Sequence, residues 1–339
     1  MGTNNNNLLA HLSLSGLSEI ENEQGKGVAK LGAMLKSASQ DAVGLGVLAQ
    51  LAGTWVGTGF NIIEVPNMNQ AKPGPPPADK FRVIVNNTSE TITFSPIGGD
   101  IINRGNAQED ISYKGIHYLQ QVSDVNLPPD NNGIHLETGL FLNLPAGTDP
   151  KVTPTIARLG SIPHGDSLLA QGSFITIKGG PTFDVADPTP FTLVDGKRVN
   201  DTSEAYLSIL KNVPVPTGIP SDVIMNPNLL LQRDIEGQEI TEMVVIFLDA
   251  NPMDGVANKN AVAPVGGISN IPFITTNANA TSMSAIFWIE TVKNSDGSTF
   301  LQLQYTQTVI LEFPVFGADG KTPVNIMWPH ISVATLRKQ

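Results

Sequence analysis

Leu51-Ala-Gly-Thr-Trp-Val-Gly-Thr-Gly59 is the stretch on which the reading of this chain turns. It falls where the apolar helical stretch Asp41 to Leu51 gives way to an alternating run, Thr54-Trp-Val-Gly-Thr-Gly-Phe-Asn-Ile-Ile63. A glycine that ends a helix, followed at once by a large aromatic opening a glycine-studded strand, suits the plugged end of a closed β-barrel. There Trp55 packs across the floor, and the glycines let the strand bend where no side chain would fit. Barrels of this kind hold one small hydrophobic molecule.

Working outward, the rest of the chain reads as many strands joined by many turns. Its 339 residues include 32 Gly and 25 Pro, and charged residues make up only 15%; that composition favours turns over long helices. Before the opening motif, Gly27 to Leu51 carries apolar residues at helical spacing, which predicts one or two short capping helices. After it, Phe81–Val85 and Glu90–Phe94 flank Asn86-Asn-Thr-Ser89 and read as a hairpin, and Pro66 to Asp79 reads as a polyproline-like loop. Strands are predicted at Ile111–Val122, Ile134–Leu144, Thr155–Ile162 and Leu168–Ile177. A proline-rich excursion over 179–222 follows, read as a surface segment or a lid. A helix is then predicted over 226–237, with a polar cap, Pro227 at its start and Gly237 at its end. The last third is a meander, with strands at Thr241–Leu248, Ser282–Val292, Phe300–Phe313 and Trp328–Leu336, and Asn294-Ser-Asp-Gly297 as a hairpin turn.

These elements predict an all-β chain. Residues 1–52 are an N-terminal extension with capping helices, and 53–339 form a single large closed antiparallel barrel, interrupted at about 179–237 by the excursion and the inserted helix.

The net charge of −11 comes from scattered Asp and Glu, and no basic stripe with interleaved aromatics exists, so nucleic-acid binding is not expected. The absence of cysteine excludes disulfides, thiolate metal sites and cysteine nucleophiles. The first residues lack a basic segment followed by an apolar core, and no apolar run reaches membrane-spanning length. The expectation is a soluble, cytoplasmic protein without membrane insertion. Dinucleotide, nucleotide-triphosphate, zinc-protease and serine-hydrolase motifs are all missing.

Two stretches carry a resemblance to calycin-type barrels, the superfamily of lipocalins, fatty-acid-binding proteins and nitrobindin-like heme barrels. Leu51-Ala-Gly-Thr-Trp-Val-Gly-Thr-Gly59 resembles the opening of the nitrobindin-like proteins and the Gly-x-Trp of lipocalins. Trp328-Pro-His-Ile-Ser-Val-Ala-Thr-Leu-Arg337 resembles their last strand, which has a histidine near its start and a basic residue near its end. Together the two cover about a quarter of the chain. The resemblance implies heme as cofactor, with His330 as the axial ligand to iron. The reading from the residues alone favours His330 packed at a strand entrance and bonded to a backbone carbonyl, with Pro329 directly before it restricting its approach.

Other polar residues are weighed by the face they share. His117 has the strand parity of Ile111, Tyr113 and Leu119, and becomes a distal ligand contact if that face is the lumen. His135 shares a face with Glu137 and reads as solvated, whereas Ile134, Leu136, Leu140 and Leu142 read as the buried face. His164 sits on a turn, Ile162-Pro-His-Gly165, which leaves open a role at the mouth of the barrel. In the strand from 301 to 313, Gln307 is a lone polar group in an apolar row with Tyr305 beside it. An amide buried there costs a few kcal/mol unless it bonds a neighbour or a ligand. The expected ligand-binding residues are therefore His330, His117, Tyr305, Gln307 and Trp55. The expected function is binding of a bulky hydrophobic small molecule, with heme as the specific candidate. The alternative is an enzyme that uses the same cavity, for heme-dependent peroxidase-like chemistry or for cofactor-free conversion of a hydrophobic substrate.

Overall fold

The computed structural model describes residues 44–67, 81–106, 109–148, 151–152, 155–195, 197–250, 267–275, 277–316, 321 and 323–339. The fold is all-β and dominated by a closed antiparallel barrel of ten strands. In chain order these are β1 (Gly53–Pro66), β2 (Phe81–Pro96), β3 (Ile111–Asp124), β4 (Gly133–Leu144), β5 (Thr155–Ile162), β6 (Asp166–Lys178), β7 (Glu239–Asp249), β8 (Asn279–Lys293), β9 (Thr299–Phe316) and β10 (Pro323–Lys338). Each strand pairs with its neighbour in sequence, and β10 returns to pair with β1.

That seam is where the two motifs meet. Trp55 lies opposite Lys338, and the register runs on to Ile62 opposite Ile331. A methyl group on Gly57 would lie 2.0 Å from the carbonyl oxygen of Thr335, and one on Gly59 would lie 2.2 Å from that of Val333. Side chains at these positions would hold the first and last strands apart, so the glycines are what let the barrel close.

Trp55 is fully buried at the closed end, and its indole nitrogen donates to the carbonyl of Leu51 at 2.7 Å. A 3₁₀ turn, Gly46–Gln50, lies under it, and Leu45, Leu48 and Leu51 join the same core. The Lys338 ammonium donates to the Gln50 carbonyl at 2.8 Å and ties the last strand to that plug. The remainder of the predicted N-terminal helices, and the Pro66 to Asp79 loop beyond Asn67, lie outside the described residues.

Two expectations are corrected. Asn86-Asn-Thr-Ser89 is not a turn, because β2 runs unbroken from Phe81 to Pro96. Alternation is preserved through the polar residues: Asn86, Thr88 and Glu90 face the lumen in line with Ile84 and Ile92. On β4 the buried face is the polar one. Glu137 is 0% exposed whereas Leu136 is 39% exposed, so His135 and Glu137 point inward. The 179–237 region, read as a surface segment or a lid with an inserted helix, packs on the outer wall. Its helix Asn228–Asp234 buries Leu231 against Phe60, Ile62, Ile331 and Val333 on the outside of the seam. Gln304 Nε2 donates to the Leu231 carbonyl at 3.0 Å, and the Thr306 hydroxyl bonds Asn228 at 2.5 Å. A second helix, Glu204–Asn212, lies nearby with Leu210 in the same cluster.

Candidate functional site

The lumen is divided. Its closed half is packed by Phe94, Tyr118, Phe141 and Phe287 in edge-to-face contacts, with ring centroids 5.3 Å apart for Tyr118 and Phe141 and 5.7 Å for Phe141 and Phe287. The other half holds a cavity of about 390 Å³. Its walls are largely apolar, with Ile63, Ile84, Met283, Val309 and Leu311 among them, and its inner end is formed by Gln120, Tyr305 and Gln307.

Two buried polar assemblies support that inner end. In one, the Tyr305 hydroxyl donates to Glu90 Oε2 at 2.7 Å, and Gln120 Nε2 donates to Glu90 Oε1 at 2.8 Å. Burial pushes the Glu90 carboxyl up to about 7 against those hydrogen bonds. In the other, Arg158 is held from three sides. Its Nη2 donates to Glu137 Oε1 at 2.8 Å, its Nε to the Tyr118 hydroxyl at 3.2 Å and its Nη1 to Gln307 Oε1 at 2.7 Å. Tyr118 also donates to Glu137. Burial alone would raise the Glu137 carboxyl, but Arg158, with help from His135 and Tyr118, holds it at about 2. The ion pair stays charged inside the barrel because each ion is neutralised and hydrogen-bonded by the other.

On the wall above, a chain of hydrogen bonds fixes the state of His330. The Asp124 carboxylate accepts from Asn86 Nδ2 at 2.8 Å, which leaves Asn86 Oδ1 to accept from Asn61 Nδ2 at 3.0 Å. Asn61 Oδ1 is then the atom facing His330 Nε2 at 2.6 Å, and it also accepts from the Ser332 hydroxyl at 2.9 Å. A carbonyl oxygen cannot donate, so His330 carries its proton on Nε2 and its lone pair on Nδ1. Burial, reinforced by His135 and His164, lowers its pKa to about 3, so the ring is neutral. His135 and His164 also line the cavity, with ring centroids 5.7 Å apart. Asp166 lines it too, and its Oδ1 is buried with no hydrogen-bond partner among the described residues.

Of the residues expected at the site, His330, Tyr305 and Gln307 line the cavity. Trp55 does not: the aromatic layer beneath Tyr305 separates it from the cavity, and it serves as part of the floor. His117 is on the outer surface, where Nε2 meets Thr138 Oγ1 at 2.9 Å; the inward residues of β3 are its neighbours Ile116 and Tyr118. The parity was read correctly and the face assigned wrongly. Residues not expected at the site are Asn61, Gln120, His135 and Asp166, whereas His164, weighed as a loop-mouth residue, lines the cavity. A signal was present for Asn61, which interrupts a strand at an inward position, as Asn86 and Glu90 do on the next strand.

The donor set fits an iron porphyrin in kind. A neutral imidazole from the last strand lines a largely apolar cavity, and its lone pair, left on Nδ1 by the Nε2–Asn61 hydrogen bond, is the donor it would offer to iron. Among the described residues, no group of three or more His, Asp or Glu side chains is placed to hold a bare metal ion. Nor, among them, is any helix long and apolar enough to cross a membrane.

No family model matches the chain, and no curated protein matches it. Among solved structures the chain is similar to one described as "Crystal Structure of Rv2717c from M. tuberculosis". The identity is 15%, the match covers 88% of this chain and 98% of that one, and the TM-score is 0.36. What the molecule itself establishes is a closed antiparallel barrel with a lumen able to take a hydrophobic ligand.

Proposed function

We propose that the barrel binds a bulky, largely apolar small molecule in its lumen, and that heme is the specific candidate. The observation that carries the reading is the 390 Å³ cavity, walled by apolar side chains yet ended by polar groups anchored from behind. A core meant only to be filled gains nothing from leaving that volume open, since empty apolar space costs packing energy. Heme is favoured over other apolar ligands by the nitrobindin-like end motifs and by the neutral His330 imidazole. When bound, heme supplies redox and gas-binding chemistry. The chain's own part is to present an uncharged imidazole and to exclude water from the iron's surroundings.

A visible spectrum after hemin addition tests the heme assignment. A Soret band that is lost in His330→Ala supports it. A spectrum of free hemin in every case overturns the heme assignment and leaves the apolar-ligand reading to be tested separately.

A further inference from the structure

Gln307 and Gln120 meet the cavity with opposite hydrogen-bonding ends, and charged neighbours fix which end each presents. Arg158 only donates, so the oxygen of Gln307 must face its Nη1 at 2.7 Å whatever way the amide is drawn. The Gln307 NH₂ group is thereby turned away from Arg158, and among the described residues it has no protein acceptor. Gln120 is the reverse case. Its NH₂ group is used by Glu90 at 2.8 Å and reaches the Tyr305 oxygen at 3.3 Å. Its carbonyl oxygen has no protein donor among the described residues. Neither free atom is sealed from space, because neither is among the buried unpartnered polar atoms, and both residues line the cavity. The inner end thus offers one donor and one acceptor, both uncharged.

The cation beside Gln307 is not available to a ligand. Arg158 is 2% exposed, does not line the cavity and is neutralised by Glu137 at 2.8 Å. Behind Gln120 and Tyr305 stands a carboxyl group, that of Glu90, which repels an anion whenever it is ionised.

Resting on the reading of the lumen as an apolar ligand site, we infer that its inner end recognises an uncharged head group of the carboxamide type, which accepts from Gln307 and donates to Gln120, and discriminates against a carboxylate. An ionised carboxylate would bring an unpaired charge next to the Gln120 carbonyl oxygen and towards Glu90, and it has no proton to give. An amide satisfies both free groups at once, and a site built for a hydrogen-bonding head rejects analogues that leave its polar groups unpaired.

Calorimetric titration with decanamide, decanoate and undecan-2-one at pH 8 tests this. The three share an alkyl tail and differ in the head. Decanamide is expected to bind tightest, the acceptor-only ketone less tightly, and decanoate at least about tenfold more weakly than the amide. Gln120→Leu removes the acceptor that only the amide uses, so it should cost the amide about tenfold and bring it level with the ketone. Decanoate binding as tightly as decanamide overturns the inference, and so does an amide preference over the ketone that survives in a folded Gln120→Leu protein. If that variant does not fold, the wild-type order of amide and acid still decides. Failure of all three to bind overturns the apolar-ligand reading itself, which sets that outcome apart from a reversed order.

Discussion

His330 Nε2 lies 2.6 Å from Asn61 Oδ1, across the seam where the last strand closes on the first. The contact joins the two sequence motifs chemically as well as topologically, and it dictates a tautomer. In a nitrogen NMR spectrum, His330 should therefore appear as a neutral ring protonated at Nε2, and it should stay neutral down to about pH 4. A ring that titrates near its ordinary value, or that carries the proton on Nδ1, contradicts the hydrogen-bond chain from Asp124.

The same group sets part of the pH dependence of stability. The folded-state pKa of His330 is lowered to about 3 from 6.5, so the unfolded chain binds the extra proton first. Stability is fully present above the unfolded value and is lost as pH falls from about 6.5 towards 3. Denaturation midpoints measured across that range should fall with pH in the wild type, and the slope should be shallower in His330→Gln.

Glu90 acts in the opposite direction. Its carboxyl is raised from 4.5 to about 7 by burial, so the folded protein holds its proton longer than the unfolded chain. That favours the fold at low pH and is lost as pH rises from about 4.5 through 7. Glu90→Gln keeps the bonds to Tyr305 and Gln120 within reach and removes the charge. It should be more stable than the wild type at pH 8, with the difference vanishing by pH 5. A variant that is less stable at pH 8 would show that the ionised carboxylate is accommodated there.

The Arg158–Glu137 pair should be intolerant of losing one member. Arg158→Met leaves Glu137 buried and uncompensated, and breaking such a pair costs about 3–5 kcal/mol. Chemical denaturation checks the size of the loss. Removing both ions together, as Arg158→Met with Glu137→Leu, should recover much of it.

Gly160 makes room for that pair. A methyl group there would lie 2.5 Å from Glu137 Oε1 and 3.0 Å from the Tyr118 hydroxyl. Gly160→Ala should destabilise by about 1–3 kcal/mol, as expected of overpacking, with the cavity end of the barrel otherwise intact. An unchanged denaturation midpoint would show that Glu137 has space to retreat.

The barrel was legible in the sequence because its closure depends on local chemistry: Trp55 as a plug and Gly57 and Gly59 as points of close approach. Tyr305 and Gln307 were legible for a similar reason, since one long strand with clean alternation fixes a face without knowledge of its neighbours. On β4 the same logic failed. Both faces of Ile134–Leu144 carry plausible core residues, and the rule that apolar faces are buried selects the wrong one when the lumen holds an ion pair. His117 was misplaced in the same way. His135, His164 and Asp166 converge only through the pairing of β4, β5 and β6, which no single stretch encodes. The outer helix at Asn228–Asp234 was visible from its punctuation, whereas its docking on the seam depends on apolar residues facing away from the lumen at Phe60, Ile62, Ile331 and Val333.

The central claim is that the open half of the lumen receives an apolar molecule. Fluorescence titration with N-phenyl-1-naphthylamine, an uncharged apolar probe, tests it most directly when run on the wild type and on Val309→Trp, which fills the cavity from its wall. The account predicts saturable binding of one probe per chain with blue-shifted emission in the wild type, and loss of that binding in a Val309→Trp protein that remains folded. No saturable binding in the wild type, or equal binding by both proteins, would contradict it.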